Sequence, residues 1–377
     1  MFVATVARHF RYFHEPVFRM LRQAGWQVDA CAKLESEGRR PRFCDAFFDL
    51  PFARNPFAPQ NAKAFAQLKK IMREARYDII HCHTPVGGLL GRLAAGHARV
   101  IYTAHGFHFF GGAPARNWLM YYPIEKMLAR KTDILITINE EDFAFARRKL
   151  PAKKIVQVHG VGCDAARFAP AADATEKMIL RTRLGIPYDA PVLLYAAELS
   201  KNKNQALLLE AMPRIREEFP QALLLLVGPD GGAQSNLEQK IAPPAVPKAK
   251  RGRRTAERPC YASQVRVLGE RGDMPALLAA ADVYVASSLR EGLPANVMEA
   301  MAAALPVVAL DNRGHRALVT EDTGFLVQNA RQMAEQVCLL LRDKPLRGTL
   351  GNAGRARVAR HFAQARVLEE LRAVYFD

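Results

Sequence analysis

Ser288-Leu289-Arg290-Glu291-Gly292-Leu293-Pro294-Ala295-Asn296-Val297-Met298-Glu299-Ala300-Met301-Ala302 sets two carboxylates, Glu291 and Glu299, at the opening of an otherwise apolar helix. Pro294 suits the first helical position, where its missing N–H would go unpaired in any case. The free N–H groups of that helix end then face whatever sits beside Glu291-Gly292-Leu293, and such an end attracts phosphate. Val297, Met298, Ala300, Met301 and Ala302 surround Glu299, so the helix is apolar on nearly every side and expected to be buried. A carboxylate in that setting needs a partner.

Outward from this stretch, strand-like apolar runs alternate with helix-like segments along the chain, the pattern of parallel sheets covered by helices. In the first half the runs are 2–7, 28–32, 78–81, 100–104, 134–138 and 155–158; in the second they are 192–196, 222–227, 265–268, 283–286, 307–310 and 325–327. They predict an α/β fold of two Rossmann-like domains. The join is expected near 160–183, where Gly160-Val161-Gly162-Cys163-Asp164 closes the first sheet and Phe168-Ala169-Pro170-Ala171-Ala172 has the composition of a linker. The prolines and charges of 243–254 cannot pack into a core and predict an exposed loop.

The chain has 377 residues, half of them apolar, enough for two cores. No apolar run approaches the roughly 20 residues that span a bilayer, and the first residues lack a basic-then-apolar signal layout, so a cytoplasmic protein is expected. Six scattered cysteines without a C-x-x-C pair fit reduced thiols better than a disulfide framework or a zinc site. Lysine and arginine outnumber acids by 54 to 37, a formal charge of +17, which draws the surface to polyanions. The anionic inner leaflet of a membrane and diphosphate substrates are the favoured partners over nucleic acid, because no nucleic-acid module or basic-aromatic interleaving appears.

Four segments in order along the chain carry a resemblance. They are Asp78-Ile79-Ile80-His81-Cys82-His83-Thr84-Pro85, Tyr102-Thr103-Ala104-His105-Gly106-Phe107-His108-Phe109, Glu198-Leu199-Ser200-Lys201-Asn202-Lys203-Asn204-Gln205, and the opening stretch followed by Pro306-Val307-Val308-Ala309. Together they resemble the group-1 (family 4) retaining glycosyltransferases, and among them the bacterial enzymes of capsular and exopolysaccharide synthesis. The resemblance implies the GT-B fold, with two Rossmann-like domains facing a cleft. Residues 1–168 would form the acceptor-binding domain, joined by a helix crossing back at 360–377, and 169–359 would bind the nucleotide sugar.

The same resemblance implies the site. Lys203 would be the cation on the donor diphosphate; Glu291 would contact the donor sugar and Glu299 the ribose hydroxyls. Gly292 and Leu293 would hold diphosphate or sugar oxygens through backbone N–H groups, and Gly269 would hold the base. His105 would be the cleft histidine beside the donor sugar, leaving His9, His14, His83 and His108 to the acceptor. Glu198 stands where many members carry an arginine, and a second cation could be Lys201, Arg271 or another residue. Ala304 replaces a usual glycine.

No D-x-D occurs, which argues against a metal-dependent transferase and leaves the leaving-group charge to side-chain cations and helix ends. His81, His83, His105 and His108 could also be taken as a metal cluster, but acceptor or structural roles rank above it. The reading is a retaining, metal-independent transferase without cofactor. It moves a sugar from a nucleotide diphosphate, with UDP favoured, to a polyprenyl-diphosphate-linked saccharide, and it works peripherally at the inner membrane face. A UDP-sugar epimerase of the same fold and a non-catalytic basic membrane or RNA-binding protein are the alternatives.

Overall fold

A computed structural model describes residues 1–35, 38–241 and 264–376; the loop expected at 243–254 lies outside them. The chain divides into two compact units, Met1–Gly162 with Gln364–Asp377, and Cys163–Ala363.

Unit 1 holds a seven-stranded sheet of β1 (Phe2–Val6), β2 (Asp29–Lys33), β3 (Ala46–Asp49), β4 (Ile79–His83), β5 (Arg99–Ala104), β6 (Ile134–Thr137) and β7 (Lys154–Gln157). The strands run parallel in the order β3-β2-β1-β4-β5-β6-β7. The order reverses between β1 and β4, and ligands of open α/β sheets gather at the carboxyl ends of such a switch point. Two buried clusters serve this sheet. One gathers Leu68, Ile80, Tyr102 and Leu135; the other gathers Phe2, Phe10, Phe18 and Ile101 with Val367, Leu371, Val374 and Tyr375 of the last helix, Gln364–Phe376.

Unit 2 holds β8 (Val192–Ala196), β9 (Leu223–Val227), β10 (Val265–Val267), β11 (Val283–Ala286), β12 (Val307–Leu310) and β13 (Gly324–Val327). They are parallel in the order β10-β9-β8-β11-β12-β13, with the switch between β8 and β11. β9, Leu223-Leu224-Leu225-Leu226-Val227, is buried at every residue, as expected of a strand covered on both faces.

The two Rossmann-like sheets are those expected. One strand escaped the sequence: β3 lies at the sheet edge, and half-buried Phe47 and Phe48 give it no apolar alternation. The division falls at Gly162 and Gln364, not at 168 and 360. Phe168 is no linker residue, being 5% exposed in the unit 2 core, and Phe362 belongs to the same core. Helix Lys344–His361 stays in unit 2, where Arg357 donates to the Leu318 carbonyl at 3.0 Å.

Helix Ala295–Ala302 starts one residue after Pro294, which is extended at φ −76° and ψ 114° rather than the first helical residue. It closes with two hydrogen bonds, Leu305 N–H to Ala300 O (3.1 Å) and Ala304 N–H to Met301 O (3.0 Å). That closure needs a left-handed residue, usually glycine. Ala304 takes the conformation at φ 56°, so the substituted glycine costs this chain about 1–2 kcal/mol of local strain.

Candidate active site

The site in unit 2 grows from the ends of β8, β11 and β12. Beyond β8, the turn 200–204 is tied to the segment after β11. Leu289 N–H donates to Asn202 O (2.8 Å) and Asn202 Nδ2 to Arg290 O (3.0 Å). Ser287 Oγ (2.9 Å) and Tyr195 Oη (3.2 Å) both donate to the Lys203 carbonyl. Asn204 is left-handed at φ 51°, a conformation asparagine tolerates better than most residues. Held in this way, Lys203 Nζ lies 2.5 Å from Glu291 Oε1, the two side chains being 22% and 13% exposed. The pair is half-buried and reachable: a cation and a carboxylate set at one strand switch point.

Behind Glu291 lies the turn after β12. Asn312 caps helix Arg313–Leu318 by accepting from the N–H groups of Gly314 and His315, and its Nδ2 donates to Ser288 O at 2.8 Å. A Cβ on Gly314 would lie 2.6 Å from Glu291 Cβ, so only glycine lets this turn approach so closely. Arg313 Nε donates to the Glu291 carbonyl at 3.3 Å, and the residue is 4% exposed. Sequence reasoning missed Arg313, Asn312 and Gly314, although an Asn-x-Gly just past an apolar run marks a capped turn at a ligand-bearing strand end. Arg271, considered there as a second cation, is held by Asp273 at 2.6 and 2.8 Å.

Glu299 sits in the second turn of helix Ala295–Ala302, among buried Val297, Met298, Ala300 and Met301. No hydrogen-bond partner for its carboxyl occurs among the described residues. Burial pushes its pKa up to about 7, with Arg167 pulling weakly the other way. The folded value lies above the unfolded one, so unit 2 holds a proton that the unfolded chain releases between those values. The stability it contributes is complete below pH 4.5 and is lost as pH rises through 7. Thermal unfolding between pH 5 and 8 should therefore show a fall in Tm that Glu299→Gln flattens; equal slopes in both proteins would refute the assignment. Gly269 stands past the edge strand β10 at φ 65°, its carbonyl accepting from Gly228 N–H at 2.8 Å. Leu293 packs against the unit 2 core.

In unit 1 the structure brings together His9, His14, His83 and His105, each with a ring nitrogen within 4.8 Å of the others. They come from three strand ends. β1 leads into helix Arg8–Phe13, which carries His9 and ends at His14. β4 ends at His83, and His105 follows β5. Thr84 locks the β4 end at φ 62°, its Oγ1 accepting from Thr5 N–H at 3.0 Å. His83 Nδ1 faces His105 Nε2 at 3.2 Å. His108 lies outside this group, with its ring 4.6 Å from that of Tyr121. His81 is occupied by Tyr375 Oη and Thr103 Oγ1.

Burial holds these imidazoles neutral, reinforced in His9, His14 and His83 by repulsion from neighbouring rings. His14 falls to about 3 and His105 to about 4, with His9 and His83 well below the ordinary range. Neutral rings can accept from a hydroxyl or ligate a cation.

Comparison with known proteins places this geometry. Residues 176–357 match the family "Glycosyl transferases group 1" and residues 3–139 the family "Glycosyl transferase 4-like". A Bacillus subtilis (strain 168) protein named "Putative glycosyltransferase EpsD" is 41% identical over all of this chain and 95% of its own length. The Escherichia coli "UDP-Gal:alpha-D-GlcNAc-diphosphoundecaprenol alpha-1,3-galactosyltransferase" is 28% identical, covering 88% of this chain and 84% of its own. Anabaena HepE, solved with UDP-glucose, superposes with a TM-score of 0.75 at 19% identity, covering 99% of this chain and 98% of its own. The chain belongs to the group-1 glycosyltransferases, and it is an enzyme of the GT-B fold.

Proposed function

We propose that this transferase moves a sugar, with retention, from a UDP-sugar to a polyprenyl-diphosphate-linked saccharide in cell-surface polysaccharide synthesis. The observation that carries the reading is the Lys203–Glu291 pair at the β8/β11 switch point. As the sugar departs, charge builds on the leaving diphosphate. Lys203 would turn from Glu291 to meet it, so that the protein, and no divalent ion, supplies the stabilising cation. Glu291 would then accept from the sugar's hydroxyls and steady positive charge at the reacting carbon. Glu299 would accept from the ribose, Gly269 would lie by the base, and the backbone at Gly292 and Leu293 would lie by the diphosphate. His105 would contact the donor sugar, and His9, His14, His83 and His108 the acceptor. The names of two similar proteins support the substrate class: one contains UDP-Gal and a diphosphoundecaprenol acceptor, and the other was solved with UDP-glucose.

Calorimetric titration with UDP, GDP and ADP, with and without EDTA, beside Glu299→Ala tests it. UDP-selective binding that survives EDTA and weakens about 10- to 100-fold in the variant is expected, the loss of a hydrogen-bonded charged acceptor. No nucleotide binding at all would refute the donor assignment.

Work at the membrane face fits helix Ala115–Ala129, which exposes Leu119 (80%), Met120, Ile124 and Met127. Arg116, Lys126, Arg130 and Lys131 are exposed alongside. Apolar side chains flanked by cations suit an anionic bilayer surface; no described helix is long and apolar enough to cross a membrane. Sedimentation with anionic vesicles should retain the protein and release it when Leu119 and Ile124 become glutamate. Equal binding to neutral vesicles, or no change in the variant, would count against this face.

A further inference from the structure

We infer that His9, His14, His83 and His105 form a binding site for one divalent transition-metal ion of the Zn²⁺ class. The inference concerns side chains of unit 1 and does not depend on Lys203 or Glu291, but it gives an ion to His105, proposed above to contact the donor sugar, and to three of the proposed acceptor histidines.

Four imidazoles from three separate strand ends converge within 4.8 Å. Zn–N bonds of ~2.0–2.1 Å in a tetrahedron set ligand nitrogens about 3.3–3.4 Å apart, against the 4.8 Å that bounds this group.

A second, independent observation points to a ligand. Nε2 of His9 and Nε2 of His83 are buried with no hydrogen-bond partner among the described residues, and His83 is 1% exposed. Each such orphan costs about 1–3 kcal/mol, and a cation would satisfy both. His14 is already oriented for ligation. Its Nδ1 lies 3.4 Å from the His9 carbonyl, so Nδ1–H donates there and Nε2 keeps its lone pair, the usual arrangement around a ligating histidine. A cavity beside His14, His83 and His105, walled by Phe13, Ile136 and Val158, has a volume of about 20 Å³, room for a single ion or water. Imidazole nitrogen favours Zn²⁺, Co²⁺, Ni²⁺ or Cu²⁺ over Mg²⁺ or Ca²⁺, which prefer oxygen. His81, with both nitrogens occupied, is excluded. The ion would tie the 8–14 turn to the ends of β4 and β5, and an acceptor hydroxyl would compete with it for the same nitrogens.

The test uses the full chain, stripped with chelator and dialysed, then titrated with Zn²⁺ against a chromophoric chelator and with Co²⁺ for visible absorption. One Zn²⁺ per chain and a Co²⁺ spectrum of tetrahedral nitrogen ligation are expected, with a Tm that rises on loading. His14→Ala and His9→Ala should each lose 10-fold or more in affinity, whereas His97→Ala, on the exposed surface, should not. Circular dichroism of the metal-free variants checks folding, and half-buried His9 provides a variant if His14→Ala does not fold. Absence of saturable binding, or binding unchanged in both cluster variants, would overturn the site; so would an equal preference for Mg²⁺.

Discussion

Lys203→Ala is expected to lower kcat/KM for sugar transfer by roughly 10²–10³-fold, the usual cost of removing one fixed group that stabilises charge in a transition state. The loss should fall mainly on kcat. Lys203 meets Glu291 at 2.5 Å, so its pairing with a diphosphate gains most when the leaving group carries its full charge. UDP affinity should change much less. Arg271→Ala is the companion measurement: its guanidinium is held by Asp273, so transfer should stay within a few-fold of wild type. Steady-state rates with a UDP-sugar and a lipid-linked acceptor decide the matter. Near-normal kcat in Lys203→Ala would end the assignment and shift attention to Arg313, the buried cation on the Glu291 carbonyl.

Glu125→Ala should be the most damaging single change to unit 1. Arg92, 3% exposed, donates to Glu125 through Nη1 (2.6 Å) and Nη2 (3.0 Å), and through Nε to the Gly88 carbonyl (2.8 Å). Its guanidinium lies 3.8 Å from the centre of the Tyr102 ring. Removing the carboxylate strands a buried charge, which costs about 3–5 kcal/mol, or roughly 6–20 °C in Tm for a unit of this size. Replacing both partners, Arg92→Met with Glu125→Leu, should recover most of that loss, because well-packed apolar residues match a buried ion pair. A single variant that unfolds within 2 °C of wild type would show that the pair is solvated and expendable.

Much of this protein was legible in its sequence, for reasons that differ by region. β8, β11 and β12 are short runs of branched and aliphatic residues buried on both faces, and they match the apolar runs end for end. The Glu291-to-Glu299 stretch announces itself because acids are rare in so apolar a helix. His9, His14, His83 and His105 could be placed at strand ends by counting from each apolar run, but nothing periodic told how the loop after His105 would turn, and it carries His108 away to Tyr121. Asn312, Arg313 and Gly314 escaped because their role is contact with Ser288 and Glu291 from a different strand end, a relation created by folding. Phe168 misled because a single apolar residue before Ala-Pro-Ala-Ala resembles a linker, and only its burial shows that it belongs to unit 2.

Residues 364–376 complete a sheet domain that begins at residue 1, and this fixes an order of events on the ribosome. Synthesis delivers the whole of unit 2 before the helix that covers Phe2, Phe18 and Val28 exists. Until that helix emerges, the cluster around Phe2 and Phe18 lacks the Val367, Leu371, Val374 and Tyr375 side chains that complete it, and His81 waits for the Tyr375 hydroxyl. The second domain to be translated can thus be the first to finish folding. A chain stalled before Gln364 leaves that part of the first sheet's core open to chaperones or proteases, so this helix certifies that the ribosome has read through unit 2.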